Sequence, residues 1–278
     1  MTVLRIAQAQ IPVYTQKQRL TELLRETAGR AVRGGADLLA LPEMFCCPYD
    51  INAFAAFAEE EGGPLWRLCS DTARRFRIFL SAGTMPERDS AGHIYNTAYV
   101  FAPDGSRIAR HRKMHLFDIS IAGGQHFQES AVLTAGDEVT VFETGHCTMG
   151  LAVCYDIRFP ELFRLMTLKG ARVILVPASF NMTTGPMHWE LLFRSQAVSN
   201  QVFLAGTAPA RDTGSSYVSW AHSIITDPWG NVISQAGETE ELLITQIDLS
   251  LCDRVREQIP VLQHLRNDVY TLTERHGS

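Results

Sequence analysis

The run Gly150-Leu-Ala-Val-Cys154 ends an apolar stretch on a thiol, and Tyr155, Asp156 and Arg158 crowd in directly behind it. Taken alone, a free cysteine is more often buried core than nucleophile, and with an ordinary pKa of about 8.5 it is mostly un-ionised at neutral pH. A nucleophilic role requires a base or a cation beside it. His115, His188 and His222 are available, and a carboxylate with a lysine could do the same work: Glu43 as general base, Lys113 as a fixed cation that favours thiolate and holds a developing oxyanion. In isolation Glu43 reads as a helix N-terminal charge and Lys113 as a solvated member of the basic run RIARHRK. His188-Trp189-Glu190 has the H-x-E of zinc deaminases, but no later Pro-Cys-x-x-Cys completes a ligand set. Metalloprotease, Walker, dinucleotide-binding and nucleophile-elbow motifs are absent as well, so Trp189 and the helix it opens are framework.

The elements that would position these residues are repeated. GADLLALPEMF (35–45) matches GARVILVPASF (170–180), and FLSAGTMPERD (79–89) matches FLAGTAPARD (203–212). A strand, a Pro-x-Gly turn and a second strand follow each time, ending in RIARHRK or NVISQAG. Helical spacing of apolar residues predicts helices over 18–32 and 160–168. The runs DLLAL and RVILV lack alternation, which suits inner strands covered on both faces, whereas Gln8 and Gln10 interrupt the first strand as in a half-buried one. Two similar halves in one layered α/β domain follow. The scaffold agrees between them while three positions do not: Glu43 corresponds to Ala178, Lys113 roughly to Glu238, and Cys154 to a position around Gln10. A residue that packing demands in only one copy is a candidate for chemistry.

Composition narrows the class of function. With 278 residues, 46% of them hydrophobic, the chain can bury a large core, and a net charge of -5 without long basic runs gives no footprint for nucleic acid or an anionic membrane. The N-terminus lacks a signal peptide's basic and apolar regions, and no apolar run approaches the roughly 20 residues of a membrane span. Six scattered cysteines do not form a secreted disulfide framework. A reducing, cytoplasmic setting and a small-molecule substrate are expected.

Leu41-Pro-Glu43, Arg112-Lys113-Met114-His115 and Gly150-Leu-Ala-Val-Cys154-Tyr-Asp together resemble, in order, the signature segments of the nitrilase, or carbon–nitrogen hydrolase, superfamily. HLFDIS (115–120), HFQES (126–130), FNMTTGPMHWELLFRSQAVSNQV (180–202), APARD (208–212) and DPWGN (227–231) are similar to the ω-amidase branch, which hydrolyses the amide of 2-oxoglutaramate and 2-oxosuccinamate. The loop IAGGQH (121–126) and the Phe45-Cys46-Cys47 segment depart from that pattern beside the expected pocket.

The resemblance implies a four-layer α-β-β-α sandwich with an internal pseudo-twofold repeat, forming one domain over residues 1–278. It also implies pairing into at least a homodimer, with the segment from about residue 250 packing on a partner subunit. The implied mechanism is acyl transfer through a cysteine thioester without metal or organic cofactor. Cys154 is the nucleophile, Glu43 the proton carrier and Lys113 the oxyanion cation. The backbone N–H of Tyr155 is a second oxyanion donor, and Glu129 positions Lys113 or the incoming water. A guanidinium suits a substrate carboxylate, so Arg158 is the first choice to read it, with Asp156 or Glu161 as competing structural partners. Tyr49 and Thr184 match the remaining substrate residues of the branch. Deaminated glutathione, a carbamoyl amine or a nitrile are alternative substrates on the same scaffold. An inactive binding or assembly protein is the alternative outside catalysis, opposed by the intact Glu43, Lys113 and Cys154.

Overall fold

The first strand shows why this chain layers. Along β1 (Val3–Gln10), Leu4 and Ile6 pack into a core between two sheets, while Ala7 and Ala9 face a second core beneath helices. Burial of both faces is the rule for inner strands of a sandwich. The computed structural model describes residues 3–122 and 126–275. After β1 come α1 (Lys17–Arg33), β2 (Leu38–Ala40), α2 (Ile51–Phe57), α3 (Pro64–Phe76), β3 (Phe79–Arg88), β4 (Ile94–Phe101) and β5 (Arg107–Arg112). A small hairpin, β6 (Asp118–Ser120) and β7 (His126–Gln128), leads to the second half. That half holds β8 (Thr140–Glu143), β9 (Thr148–Leu151), α4 (Pro160–Leu168), β10 (Val173–Pro177), α5 (Gly185–Asn200), β11 (Phe203–Thr207), β12 (Ile224–Thr226) and β13 (Val232–Gln235). The chain continues through β14 (Glu241–Asp248) and α6 (Ser250–Gln258).

Two six-stranded sheets result, ordered β14-β1-β2-β3-β4-β5 and β13-β12-β11-β10-β9-β8. Each has a parallel centre flanked by antiparallel strands. Leu20, Leu24 and Ala28 of α1 and Ala73 of α3 cover the outside of the first sheet, and α4 and α5 cover the second. This is the expected α-β-β-α sandwich. The predicted helices appear as α1 and α4, and Pro64 and Pro160 open α3 and α4 at positions where a missing N–H costs nothing. The repeat reading did not anticipate the edge strands. β8 precedes β9 in the second sheet, whereas its equivalent in the first sheet is β14, contributed from the far end of the chain.

Register sharpens the comparison of the halves. Ile6 pairs with Leu38 and Met149 with Val173, so counting on from 6 to 11 and from 149 to 154 makes Ile11 the counterpart of Cys154. The hairpin pairs Phe101 with Arg107 and Thr226 with Val232, which makes Lys113 and Glu238 equivalent.

One expectation is corrected. Gln8 and Gln10 are fully buried, so β1 is not half exposed. They lie on the same face as Leu4 and Ile6 and tie the sheets together. Gln8 donates to the carbonyls of Gly206 and Ile224, and Gln10 donates to those of Gly237 and Thr239 while accepting from Ser223. Alternation in one strand cannot reveal such partners on a facing sheet. Beyond β14, α6 buries Cys252 and Val255 against its own chain and pairs Asp253 with Arg172 at 2.6 Å. Arg254, Glu257 and Gln258 on α6 and Val269 and Tyr270 beyond it remain exposed.

Candidate active site

The chemistry gathers outside the carboxyl ends of the parallel strands, where open α/β sheets place ligands. Glu43 follows β2, Ser179 follows β10, Cys154 opens a 3₁₀ turn (Cys154–Arg158) after β9, and Lys113 follows β5. Close backbone approach makes this possible: a Cβ on Gly83, at φ +56°, would lie 2.0 Å from the Pro42 carbonyl, so β3 closes on the Glu43 segment only with glycine there. Cys154 itself takes φ +45°, an uncommon conformation for a residue with a side chain. Strain of this kind persists only where the surroundings fix it.

Glu43, Lys113 and Glu129 are buried together. Lys113 Nζ donates to Glu129 Oε1 at 2.9 Å and to Glu43 Oε1 at 3.3 Å, so one ammonium bridges two carboxylates. Tyr49 inserts its hydroxyl into the same cluster, donating to Glu129 Oε1 at 2.6 Å and lying 3.2 Å from Glu43 Oε1. Asn96 Nδ2 donates to Glu43 Oε1 at 2.8 Å, and the Phe117 N–H donates to Glu129 Oε2 at 2.7 Å. The main chain of Ser179 joins base and thiol: its N–H donates to Glu43 Oε2 at 2.8 Å, and its carbonyl accepts from Cys154 Sγ at 3.8 Å and from the Tyr217 hydroxyl at 2.6 Å.

Burial pushes the Cys154 thiol well above its ordinary pKa, with Glu43 adding to the effect and Lys113 opposing it. Burial and the neighbouring carboxylate thus favour a resting thiol over a standing thiolate. Burial, only partly offset by Lys113, also raises Glu43, which improves it as a proton acceptor. Burial works against the charge on Lys113, but Glu129, Glu43 and Cys154 outweigh it, and the ammonium is held charged.

A cavity of about 200 Å³ opens beside this cluster, lined by Glu43, Tyr49, Ser179 and Tyr217 with Val13, Thr15 and Asp212 toward its rim. Ligand pockets commonly span about 300–1,000 Å³, so this one suits a short substrate. Of the expected substrate residues, Tyr49 lines the cavity and Arg158 and Thr184 are not among its lining residues. Arg158 pairs with neither Asp156 nor Glu161; among the described residues its guanidinium meets His188 Nδ1 at 3.2 Å and the rings of Tyr155 and Phe180, leaving Nε without a partner. Thr184 donates to Asn181 Oδ1 at the start of α5. The Tyr155 N–H, second in the 3₁₀ turn, has no acceptor within that turn. The histidines considered as bases are engaged elsewhere: His115 with Asp156, His188 with Arg158, His222 with the Ala236 carbonyl. Cys47, one of the unusual cysteines, lines the cavity, and of the IAGGQH loop residues 123–125 lie outside the described residues.

Sequence reasoning missed Asn96, Ser179 and Tyr217. Ser179 acts through its main chain and left no side-chain signal, while Asn96 was detectable as an amide within a strand, β4, that is buried along its whole length.

The layered fold, the internal repeat and a carboxylate, ammonium and thiol converging from three segments define a cysteine-dependent hydrolase scaffold. Residues 4–257 match the family described as Carbon-nitrogen hydrolase, and the chain belongs to that family. It is 43% identical to Omega-amidase NIT2 of Mus musculus, over 99% of each chain. It is also similar to the crystal structure of Nit3 from Saccharomyces cerevisiae, a member of branch 10 of the nitrilase superfamily, at 34% identity and a TM-score of 0.87, covering 95% of this chain and 97% of that one. A mutant of the amidase from Nesterenkonia sp. AN1, 26% identical with a TM-score of 0.79 over 96% of this chain and 95% of that one, carries the acetamide moiety of fluoroacetamide covalently at its active-site cysteine.

Proposed function

We propose that this amidase releases ammonia from the ω-amide of 2-oxoglutaramate and 2-oxosuccinamate through a Cys154 thioester. The observation that carries the mechanism is the Ser179 main chain, which bonds both Glu43 Oε2 and the Cys154 thiol; Glu43 and Ser179 line the cavity, and Cys154 lies behind them, outside its lining residues. The choice of substrate rests on the likeness to Omega-amidase NIT2. Glu43 takes the thiol proton as sulfur attacks the amide carbon, so that no buried thiolate stands unused. The oxyanion of the tetrahedral intermediate is held by the Lys113 ammonium and the Tyr155 N–H. Glu43 returns the proton to the leaving nitrogen, ammonia departs, and Glu43 then activates the water that cleaves the thioester. Glu129 fixes Lys113 from the other side and keeps its charge in place. Arg158, a guanidinium without a carboxylate partner among the described residues, is the group that would take the substrate's carboxylate.

The two apolar faces of α5 support a homodimer: it buries Trp189 and Phe193 yet also exposes Met187, Leu191 and Val198 beside Trp229, an apolar face suited to a second copy. All six cysteines are free, which supports a reducing, cytoplasmic setting. No helix among the described residues is long and apolar enough to cross a membrane.

Ammonia release from 2-oxoglutaramate, measured alongside a panel of deaminated glutathione, a carbamoyl amine and a nitrile, tests the assignment. Preference for the 2-oxo acid amide is expected, with Arg158→Ala eroding that preference through KM. Ordinary turnover by Cys154→Ala would sink the mechanism.

A further inference from the structure

Asp156, two residues after the nucleophile, touches none of the groups in the Glu43–Lys113–Glu129 cluster, yet it is fully buried and satisfied on every side. Its Oδ2 accepts from the Val153 N–H at 2.9 Å, and its own N–H donates to the Val153 carbonyl at 3.0 Å, so the pair closes a loop around Cys154 and Tyr155. The same carboxylate reaches the strand that carries Lys113. Oδ2 lies 3.1 Å from His111 Nε2, while Oδ1 accepts from the His115 N–H at 2.9 Å and lies 2.7 Å from His115 Nδ1. His111 is anchored in turn by Thr140 at 3.0 Å, and the His115 ring stacks on Phe159 with centroids 3.6 Å apart. Burial works against the charge on Asp156, but the hydrogen bonds from His111 and His115 prevail and hold its carboxyl well below the usual range. One ionised group thus grips residues on both sides of Lys113 in sequence and on both sides of Cys154.

We infer that Asp156 is a positioning residue that locks the left-handed conformation of Cys154 and sets its register against Lys113, with His111 and His115 as its grips. The inference rests on the reading of Cys154 as nucleophile and Lys113 as oxyanion cation. Misplacement of a reacting group by about 1 Å can cost about 100-fold in rate, and nothing in this clamp meets the cavity, so its loss lowers kcat and leaves KM nearly unchanged.

The test measures kcat and KM on 2-oxoglutaramate, the second-order rate of Cys154 alkylation by iodoacetamide, and Tm for Asp156→Asn, His111→Leu, His111→Gln and His115→Ala. Asp156→Asn is expected to lower kcat by about 100-fold and alkylation by about tenfold with KM within about threefold. His111→Leu lowers kcat by about tenfold, and His111→Gln, which keeps an N–H donor, restores it to within about threefold. If Asp156→Asn does not fold, the His111 pair and His115→Ala, whose ring is partly exposed, decide by the same measures. Equal activity of His111→Leu and His111→Gln, a loss confined to KM, or a loss that only follows the folded fraction overturns the inference. Alkylation requires no substrate, so failure to hydrolyse 2-oxoglutaramate would defeat the functional reading while leaving the clamp still judged by the alkylation series.

Discussion

The two halves of the sandwich share strands, helices and hairpins but not chemistry. Glu43 and Lys113 come from the first half and Cys154 from the second, and their counterparts are Ala178, Glu238 and Ile11. The silent copy became wall. Ile11 accepts from the Ala210 N–H, Ala210 lines the cavity, and the neighbouring Arg211 pairs with Glu238 at 2.7 Å. A duplicated scaffold thus offers two equivalent sets of strand ends, and one composite site uses residues from both halves while the other set is given over to packing and surface charge.

The largest effects should follow from disturbing the charge count in the active copy, where two carboxylates face one ammonium. Lys113→Met leaves Glu43 and Glu129 buried without their cation. It should abolish turnover and cost about 3–5 kcal/mol of stability, read by denaturant unfolding. Glu43→Gln should cost about 10³-fold or more in kcat, yet stabilise the fold, because Lys113 and Glu129 then balance. The sign follows from the pKa: a carboxyl group raised on folding binds its proton more tightly when folded, so the stability it contributes is greatest below the ordinary carboxylate range and is lost as pH rises through the folded value. The gain in Tm from Glu43→Gln should therefore be present at neutral pH and vanish in acid. For the same reason the acid limb of kcat/KM should lie above the ordinary carboxylate pKa and disappear in that variant.

Smaller effects sharpen the comparison. Tyr49→Phe removes a hydroxyl placed between the two carboxylates, and a loss of about tenfold in kcat is expected for one charge-assisted hydrogen bond. An unchanged KM would locate the role of the hydroxyl in the buried cluster, and a raised KM would locate it at the substrate. In the silent copy, Glu238→Ala removes a half-exposed ion pair and should change stability by less than about 1 kcal/mol while leaving kcat as it was.

Much of the site was legible because the repeat provided an internal control. Glu43 stood out against Ala178 and Lys113 against Glu238 without any structure. The buried strands were legible from unbroken apolar runs such as RVILV. What escaped notice shares a physical reason. Gln8 and Gln10 bond across to the facing sheet, Ser179 works through its main chain, and the left-handed turn at Cys154 is imposed by Asp156 and its histidine partners. Each depends on segments distant in the chain, and side-chain type alone does not encode them. Arg158 was chosen because a guanidinium suits a carboxylate; its contacts with His188 and the rings of Tyr155 and Phe180 are set by segments that spacing from Cys154 does not reveal.

The crossing of β14 into the first sheet has a consequence for biogenesis. Val3 pairs with Asp248 and Gln10 with Glu241, so β1 leaves the ribosome long before the strand that pairs with it. Until then β1 presents an open edge whose N–H and C=O groups can pair with any passing strand, the exposure that leads to aggregation. The second sheet has no such delay, since β8 through β13 emerge in one uninterrupted block. Synthesis therefore completes the nucleophile's half before the half that supplies the base, and premature termination between β13 and β14 leaves a complete second sheet beside an unsealed first one.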